Sequence, residues 1–254
     1  MNFLNDLIAS IEKTNDNNNV KPSPFYKPSS MNCIRNMYYQ MIEEEVEAGR
    51  SDYKGIGIAE TGTDRHTRVQ DAISTMRQNG FDCDYIDVAE FIKENNLTDL
   101  EVIGRSGAET KIFNKKLNMR FMTDGIIKYK GEYFIIEIKT EGSAKFKKRT
   151  SVDENHYNQA TAYSISFGLD NVLFLYINRD SLEMKAIMLE VTEEMKQNVI
   201  NKIKSCDTHL HNGTLPPKEE NSYTCRFCKY FTKCQMSDVK GGEEVDEEET
   251  IIYF

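Results

Sequence analysis

Residues 120–140 read RFMTDGIIKYKGEYFIIEIKT. Two β-rich runs flank Lys130-Gly131, a dipeptide suited to a hairpin turn. A hairpin centred there faces Tyr129 with Glu132. Carried back along both strands, that register sets Asp124 directly opposite Glu137. Directly opposed residues hold their Cβ atoms about 4.5–5.5 Å apart, and two carboxylates so placed repel each other. A divalent cation between them removes the repulsion and gives the pairing a purpose. Strand alternation puts Ile135, Glu137 and Lys139 on one face and Phe134, Ile136 and Ile138 on the other. Lys139 therefore sits one pleat beyond Glu137, on the cation's side. Asp124 and Glu137 holding Mg²⁺ or Mn²⁺, with Lys139 to orient water or to stabilise charge developing on phosphorus, is the equipment phosphodiester hydrolysis needs. An E-x-K triplet alone is an ordinary surface ion pair. The registered aspartate sets this one apart.

Downstream, KFKKR at 145–149 carries four basic residues, Lys145, Lys147, Lys148 and Arg149, around Phe146. As a loop beside the hairpin it would bind phosphate, with the aromatic stacking on an unpaired base. The pattern then predicts a helix from about Val152 to Phe167. It carries Gln159 and Tyr163 one turn apart on a single face, with His156 a turn before Gln159. NVLFLYI at 171–177 reads as a buried strand, and about 192–205 as a polar helix. Upstream, strand-like runs lie near 85–88 and 100–104. A helix is expected over about 64–79, ending at Gly80 and carrying His66. A further helix in MNCIRNMYYQMIEEEVEAG is expected to be capped by Ser29 or Ser30. A polar, Pro-containing stretch at 15–30 reads as a linker after an amphipathic first helix.

The order of these motifs resembles the PD-(D/E)XK nuclease superfamily, and within it the RecB-like branch. The resemblance rests on Asp124 in MTDGII, Glu137-Ile138-Lys139 in IIEIKT, and Gln159 with Tyr163 in NQATAY. It implies an α/β core with a mixed central sheet flanked by helices. It further implies a metal-ligating set of His66, Asp124, Glu137 and Ile138, and a catalytic set of Asp124, Glu137, Lys139, Gln159 and Tyr163. The expected activity is that of a Mg/Mn-dependent exonuclease or end-processing enzyme acting on single-stranded DNA or DNA ends.

Cys225, Cys228 and Cys234 form C-x₂-C-x₅-C and need a fourth ligand to close a site. Cys33, Cys83 and Cys206 are available. The resemblance selects Cys33, because iron–sulfur nucleases of this branch have one cysteine before the core and three after it. A 4Fe–4S cluster would then staple the two ends of the chain as a small lobe, with Zn²⁺ as the alternative occupant. Cys83 and Cys206 are left as ordinary thiols.

The chain of 254 residues carries a net charge of −9. Residues 241–254 hold six acids and no base, so the rest of the chain is only mildly acidic at −3, and a local basic groove remains compatible with DNA binding. No apolar run approaches the roughly 20 residues of a membrane span. The start, MNFLNDLIASIEK, lacks the pattern of a signal peptide, so an intracellular, reducing setting is expected. The organisation expected is a helix and linker over 1–30, a core with the cysteine lobe over 31–236, and a disordered acidic tail over 237–254 that solubilises the chain or docks a partner. No GxxxxGK[ST] motif is present, so a helicase or single-stranded-DNA-binding protein would be a separate partner. Two competing readings are a catalytically inactive DNA-binding scaffold of the same fold and a zinc-stabilised regulator.

Overall fold

A computed structural model describes residues 3–15, 24–44, 52–106, 109–219, 225 and 228–237. The tail at 241–254, and with it the expectation of disorder or docking there, lies outside the described residues, as do residues 16–23 of the linker.

The elements run α1 (Phe3–Asn15), α2 (Ile34–Met41), α3 (Tyr53–Ser74), β1 (Cys83–Ile86), α4 (Val88–Glu94), β2 (Leu100–Ser106), β3 (Glu109–Asn114), β4 (Met119–Thr123), β5 (Gly125–Tyr129), β6 (Glu132–Glu141), α5 (Ser143–Lys148), α6 (Tyr157–Phe167), β7 (Asn171–Asn178), β8 (Met184–Glu190), α7 (Glu193–Asn212) and α8 (Phe231–Ser237). The central sheet has the order β1-β5-β6-β7-β8, and β2-β3-β4 form a second sheet. In the central sheet only β6 and β7 are parallel; every other pairing is antiparallel. The fold is therefore α/β with a mixed central sheet flanked by helices. No helix among the described residues is long and apolar enough to cross a membrane.

The middle of the sheet is apolar on both faces, which is why β6 carries the run Ile135-Ile136-Glu137-Ile138. Ile135 packs into the main core with Val172, Phe174, Ala160, Ala162 and Val199. Its neighbour Ile136 belongs to a second core with Ile73 and Cys83. Adjacent strand residues point to opposite faces, so α6 and α7 cover one face and α3 the other. Glu137 shares the α6 face with Ile135. The hairpin register is as expected, with Tyr129 paired to Glu132 and the ladder continuing back to Gly125 opposite Ile136.

The structure corrects the first β run. It is not one strand: β4 lies in the small sheet and β5 in the central one, so Asp124 is the hinge between sheets, just beyond the hairpin ladder. Gly125 allows this with a φ of +142°. A Cβ at Gly125 would run into the ring and hydroxyl of Tyr85.

Other boundaries move for local reasons. Helix α3 starts eleven residues earlier than the pattern suggests. Asp52 caps it by accepting from the Gly55 N–H, while Gly55 and Gly57 weaken the helical signal of its first turns. It ends at Ser74, and turns carry the chain to Gly80 at φ +85°. Cys33, not Ser29 or Ser30, is the residue before α2, because Pro28–Ser30 form their own 3-10 turn. The basic segment is helix α5 rather than a loop. Helix α6 begins at Tyr157 after a 3-10 turn over Glu154–His156. Helix α7 extends to Asn212, where Gly213 stops it in the left-handed conformation. Strands β3 and β8 and helix α4 are additions.

Candidate metal centre

The turn from β4 into β5 delivers Asp124 to the floor of a cleft of about 570 Å³ that His66, Glu109, Glu137, Lys139 and Gln159 also line. Asp124 is buried, and its carboxylate and carbonyl oxygens are held. Its Oδ2 accepts from the Ile138 N–H at 2.6 Å, and its Oδ1 lies 3.2 Å from His66 Nδ1. Its carbonyl accepts from Gln70 Nε2 at 2.7 Å and from the Tyr85 hydroxyl at 2.6 Å. A carboxylate so held presents its free lone pairs in a fixed direction. Ile138 meets the site through its backbone, since its side chain has no donor or acceptor.

His66 projects from the middle of α3. Its Nδ1 also lies 3.6 Å from Glu109 Oε1. One donor atom each from His66, Glu109 and Asp124 falls within 4.8 Å of the others. Burial pulls the His66 imidazole down, but its hydrogen bonds to Asp124 and Glu109 outweigh that and lift it to about 9. Glu109 opens β3, a strand the sequence pattern does not announce. No short-range signal in the sequence marks Glu109 as a partner of His66. Gln70, one turn after His66 on the same helical face, is the other residue the sequence reading missed.

Glu137 faces a different set of partners. Its Oε1 accepts from Lys139 Nζ at 2.5 Å and from Gln159 Nε2 at 2.9 Å. Lys139 also donates to Gln159 Oε1 at 3.2 Å. Gln159 Nε2 donates to the Tyr163 hydroxyl at 2.8 Å, and that hydroxyl donates to the Met122 carbonyl at 2.8 Å. Tyr163 reaches the site through Gln159, and burial holds its hydroxyl protonated. Burial also pushes the Glu137 carboxyl up to about 7, aided by the Asp124 charge and opposed by Lys139. All five acid, lysine, glutamine and tyrosine positions read from the sequence thus meet in one cleft with His66.

The donor chemistry fits a hard divalent cation. Two carboxylates and an imidazole, from Glu109, Asp124 and His66, converge, and the Glu137 carboxylate lines the same cleft. Oxygen-rich sets of this kind suit Mg²⁺ or Mn²⁺.

His156 is not part of this centre. It stacks on Phe174 at 5.9 Å, its Nδ1 lies 3.3 Å from the Tyr176 hydroxyl, and burial pulls it down to about 4. The basic segment also differs from expectation. Phe146 is buried under the Lys185 ammonium at 3% exposure, so it cannot stack on a base. Amphipathic spacing puts it on the inner side of α5. Arg149 and Lys145 both pair with Glu141 and Asp153. Lys147 and Lys148 are exposed.

Cys33, Cys225, Cys228 and Cys234 all line one cavity between the start of α2 and the C-terminal segment. The Arg35 guanidinium and the Asn36 amide donate to Cys234 Sγ and Cys228 Sγ, each at 3.4 Å. Burial raises the Cys33 and Cys228 thiols, and neighbouring thiols add to the effect. Among the described residues no three of these sulfurs lie within 4.8 Å of one another. Tetrahedral zinc at Zn–S of about 2.3 Å would hold them about 3.8 Å apart, so the sulfurs as placed do not close a zinc site. Cys83 and Cys206 are buried elsewhere.

No protein-family model matches the chain, and no curated protein matches it. Among solved structures, the chain is similar to SSO0001 at 14% identity and a TM-score of 0.47, over 91% of this chain and 96% of that one. It is also similar to the alkaline exonuclease LHK-Exo from Laribacter hongkongensis at 11% identity and a TM-score of 0.45, over 86% and 96%. LHK-Exo in complex with dAMP matches at 11% and 0.44, over 85% and 95%.

Proposed function

We propose that the chain is a divalent-metal-dependent DNA nuclease of the PD-(D/E)XK kind, an exonuclease or end-processing enzyme acting on single-stranded DNA or DNA ends. The observation that carries the reading is the juxtaposition in one open cleft of the His66, Glu109 and Asp124 donors with the Lys139–Glu137–Gln159 network.

His66, Glu109, Asp124 and Glu137 would hold Mg²⁺ or Mn²⁺, with the Ile138 carbonyl the one donor that residue can offer. When bound, the cation supplies Lewis-acid polarisation of the phosphodiester and activation of water. The protein's own groups do the rest. Lys139, fixed from two sides by Glu137 and Gln159, carries the positive charge that stabilises negative charge developing on the phosphoryl oxygens. Gln159 is itself locked by Tyr163, so the ammonium is positioned before substrate arrives. Ile138 N–H and Gln70 keep Asp124 from turning away.

The four cysteines would hold a 4Fe–4S cluster that staples α2 to the C-terminal segment. Support comes from their shared cavity and from the guanidinium and amide donors directed at two of the sulfurs.

The test is hydrolysis of end-labelled single- and double-stranded DNA by anaerobically purified protein in Mg²⁺ or Mn²⁺, beside Asp124→Ala and Lys139→Ala. Loss of cleavage by about 10²–10³-fold in Lys139→Ala is expected. Absence of cleavage by the wild type, or variants that match it, removes the hydrolase reading. Absorbance near ~400 nm from thiolate-ligated iron, lost in Cys33→Ser, tests the cluster.

A further inference from the structure

The outward face of the small sheet continues the floor of the cleft. Strand β3 leaves the metal centre at Glu109, and residues two apart on one face are ~6.8 Å apart. The next outward position is Lys111, paired across the sheet to Met122 on β4 and to Gly104 on β2. One row further, Arg120 pairs with Phe113. The Arg120 guanidinium lies 3.4 Å over the Phe25 ring and 5.5 Å from Phe113. Stacking fixes the plane of the guanidinium and leaves its N–H edges to bind an anion. Lys27 completes the wall.

Among the described residues, Lys27, Lys111 and Arg120 have no carboxylate partner, whereas Lys145 and Arg149 of the basic helix are both engaged by acids. Three uncompensated cations along one wall of a cleft, in a chain of net charge −9, point to a polyanion entering there. Between them the surface is apolar. Met122 is 45% and Ile103 43% exposed, both lining the same cleft. A duplex shows a protein wall its phosphates and sugars, with base faces stacked inside. An unpaired strand shows both phosphates and base faces, and a methionine sulfur makes favourable contact with an aromatic ring.

We propose that the outward face of the β2–β3–β4 sheet is the track along which an unpaired DNA strand runs to the acidic centre. Lys111 and Arg120 grip its phosphates, and Ile103 and Met122 meet its base faces. The inference rests on the nuclease reading of that centre, and it concerns binding rather than cleavage.

The experiment measures binding of a labelled oligothymidylate and of a blunt duplex by fluorescence anisotropy at several salt concentrations, with Ca²⁺ replacing Mg²⁺. Lys111→Ala and Arg120→Ala should each weaken oligothymidylate binding about tenfold, as expected for a lost charged hydrogen bond. Each should flatten the salt dependence by about 0.7 in log–log slope. Met122→Ala should weaken the single strand more than the duplex at unchanged slope. Lys204→Ala, on an exposed face of α7, should match the wild type. Lys111→Arg should restore binding, which separates loss of charge from loss of fold. Unchanged oligothymidylate affinity in Lys111→Ala and Arg120→Ala, or equal losses on duplex and single strand in Met122→Ala, overturns the track. If those variants lose binding while the wild type cleaves nothing in Mg²⁺ or Mn²⁺, the track stands and the hydrolase reading falls. If cleavage is intact and binding does not depend on the cations, the hydrolase stands and the track falls.

Discussion

Replacing Glu137 with glutamine should stabilise the metal-free protein at alkaline pH. Glu137 is only 4% exposed, and burial lifts its carboxyl from the ordinary 4.5 to about 7 even with the Lys139 ammonium 2.5 Å away. The folded protein therefore keeps this proton to a higher pH than the unfolded chain does. The stability so contributed is fully present below 4.5, falls between 4.5 and 7, and is gone above. At 1.36 kcal/mol per pH decade, that interval amounts to about 3 kcal/mol. A Glu137→Gln side chain is isosteric, can still accept from Lys139 and Gln159, and cannot ionise. In EDTA at pH 8 the variant should be about 3 kcal/mol more stable than wild type, or about 6–12 °C higher in Tm for a chain of this size. At pH 4 the two should melt together. Saturating Mn²⁺ should reverse the order at pH 8, because a cation that binds only the folded state stabilises it and the ionised carboxylate is the better ligand. Urea or thermal melts with and without Mn²⁺ supply the measurement. A variant no more stable than wild type at pH 8 in EDTA would refute the claim that an uncompensated carboxylate is stored there for a metal.

Three further outcomes follow from the same geometry. Gly125→Ala should cost about 2 kcal/mol or more, because it combines an unfavourable φ with a clash against Tyr85; a melt close to wild type would show that the hinge at Asp124 is not strained. Phe146→Ala should cost about 3–5 kcal/mol as a core truncation, whereas Lys147→Ala and Lys148→Ala should stay within about 0.5 kcal/mol; the reverse ranking in urea melts would return Phe146 to the surface. Glu109→Gln should weaken Mn²⁺ binding by roughly tenfold or more in calorimetry, and unchanged affinity would leave Glu109 as a partner of His66 alone.

What the sequence revealed, and what it hid, divides along a physical line. Hairpin register is local: turn chemistry at Lys130-Gly131 sets it, and two-residue alternation carries it outward, so the facing of Glu137 and Lys139 was legible without coordinates. The i, i+4 relation of Gln159 and Tyr163 is equally local. Glu109, Gln70 and the pairing of Arg120 with Phe25 depend on how the small sheet docks beside the central one, and no short-range pattern encodes that. The split at Asp124 hid it further. A β-rich run from 120 to 129 looks like one strand, and the only mark of the break is a glycine, a residue with several other uses. The same cause misled the reading of KFKKR. Composition counts four cations there, but Glu141 and Asp153, twelve positions apart before and after it, engage Lys145 and Arg149, and Phe146 is turned inward. Charges that composition counts alike are thus divided by tertiary structure into those already answered by acids and those still open. In this chain Lys27, Lys111 and Arg120, on the wall of the cleft that holds the metal centre, are among the open ones. A basic run in the sequence is a weaker guide to an anion site than cations scattered over two strands and a turn, each lacking a carboxylate partner among the described residues.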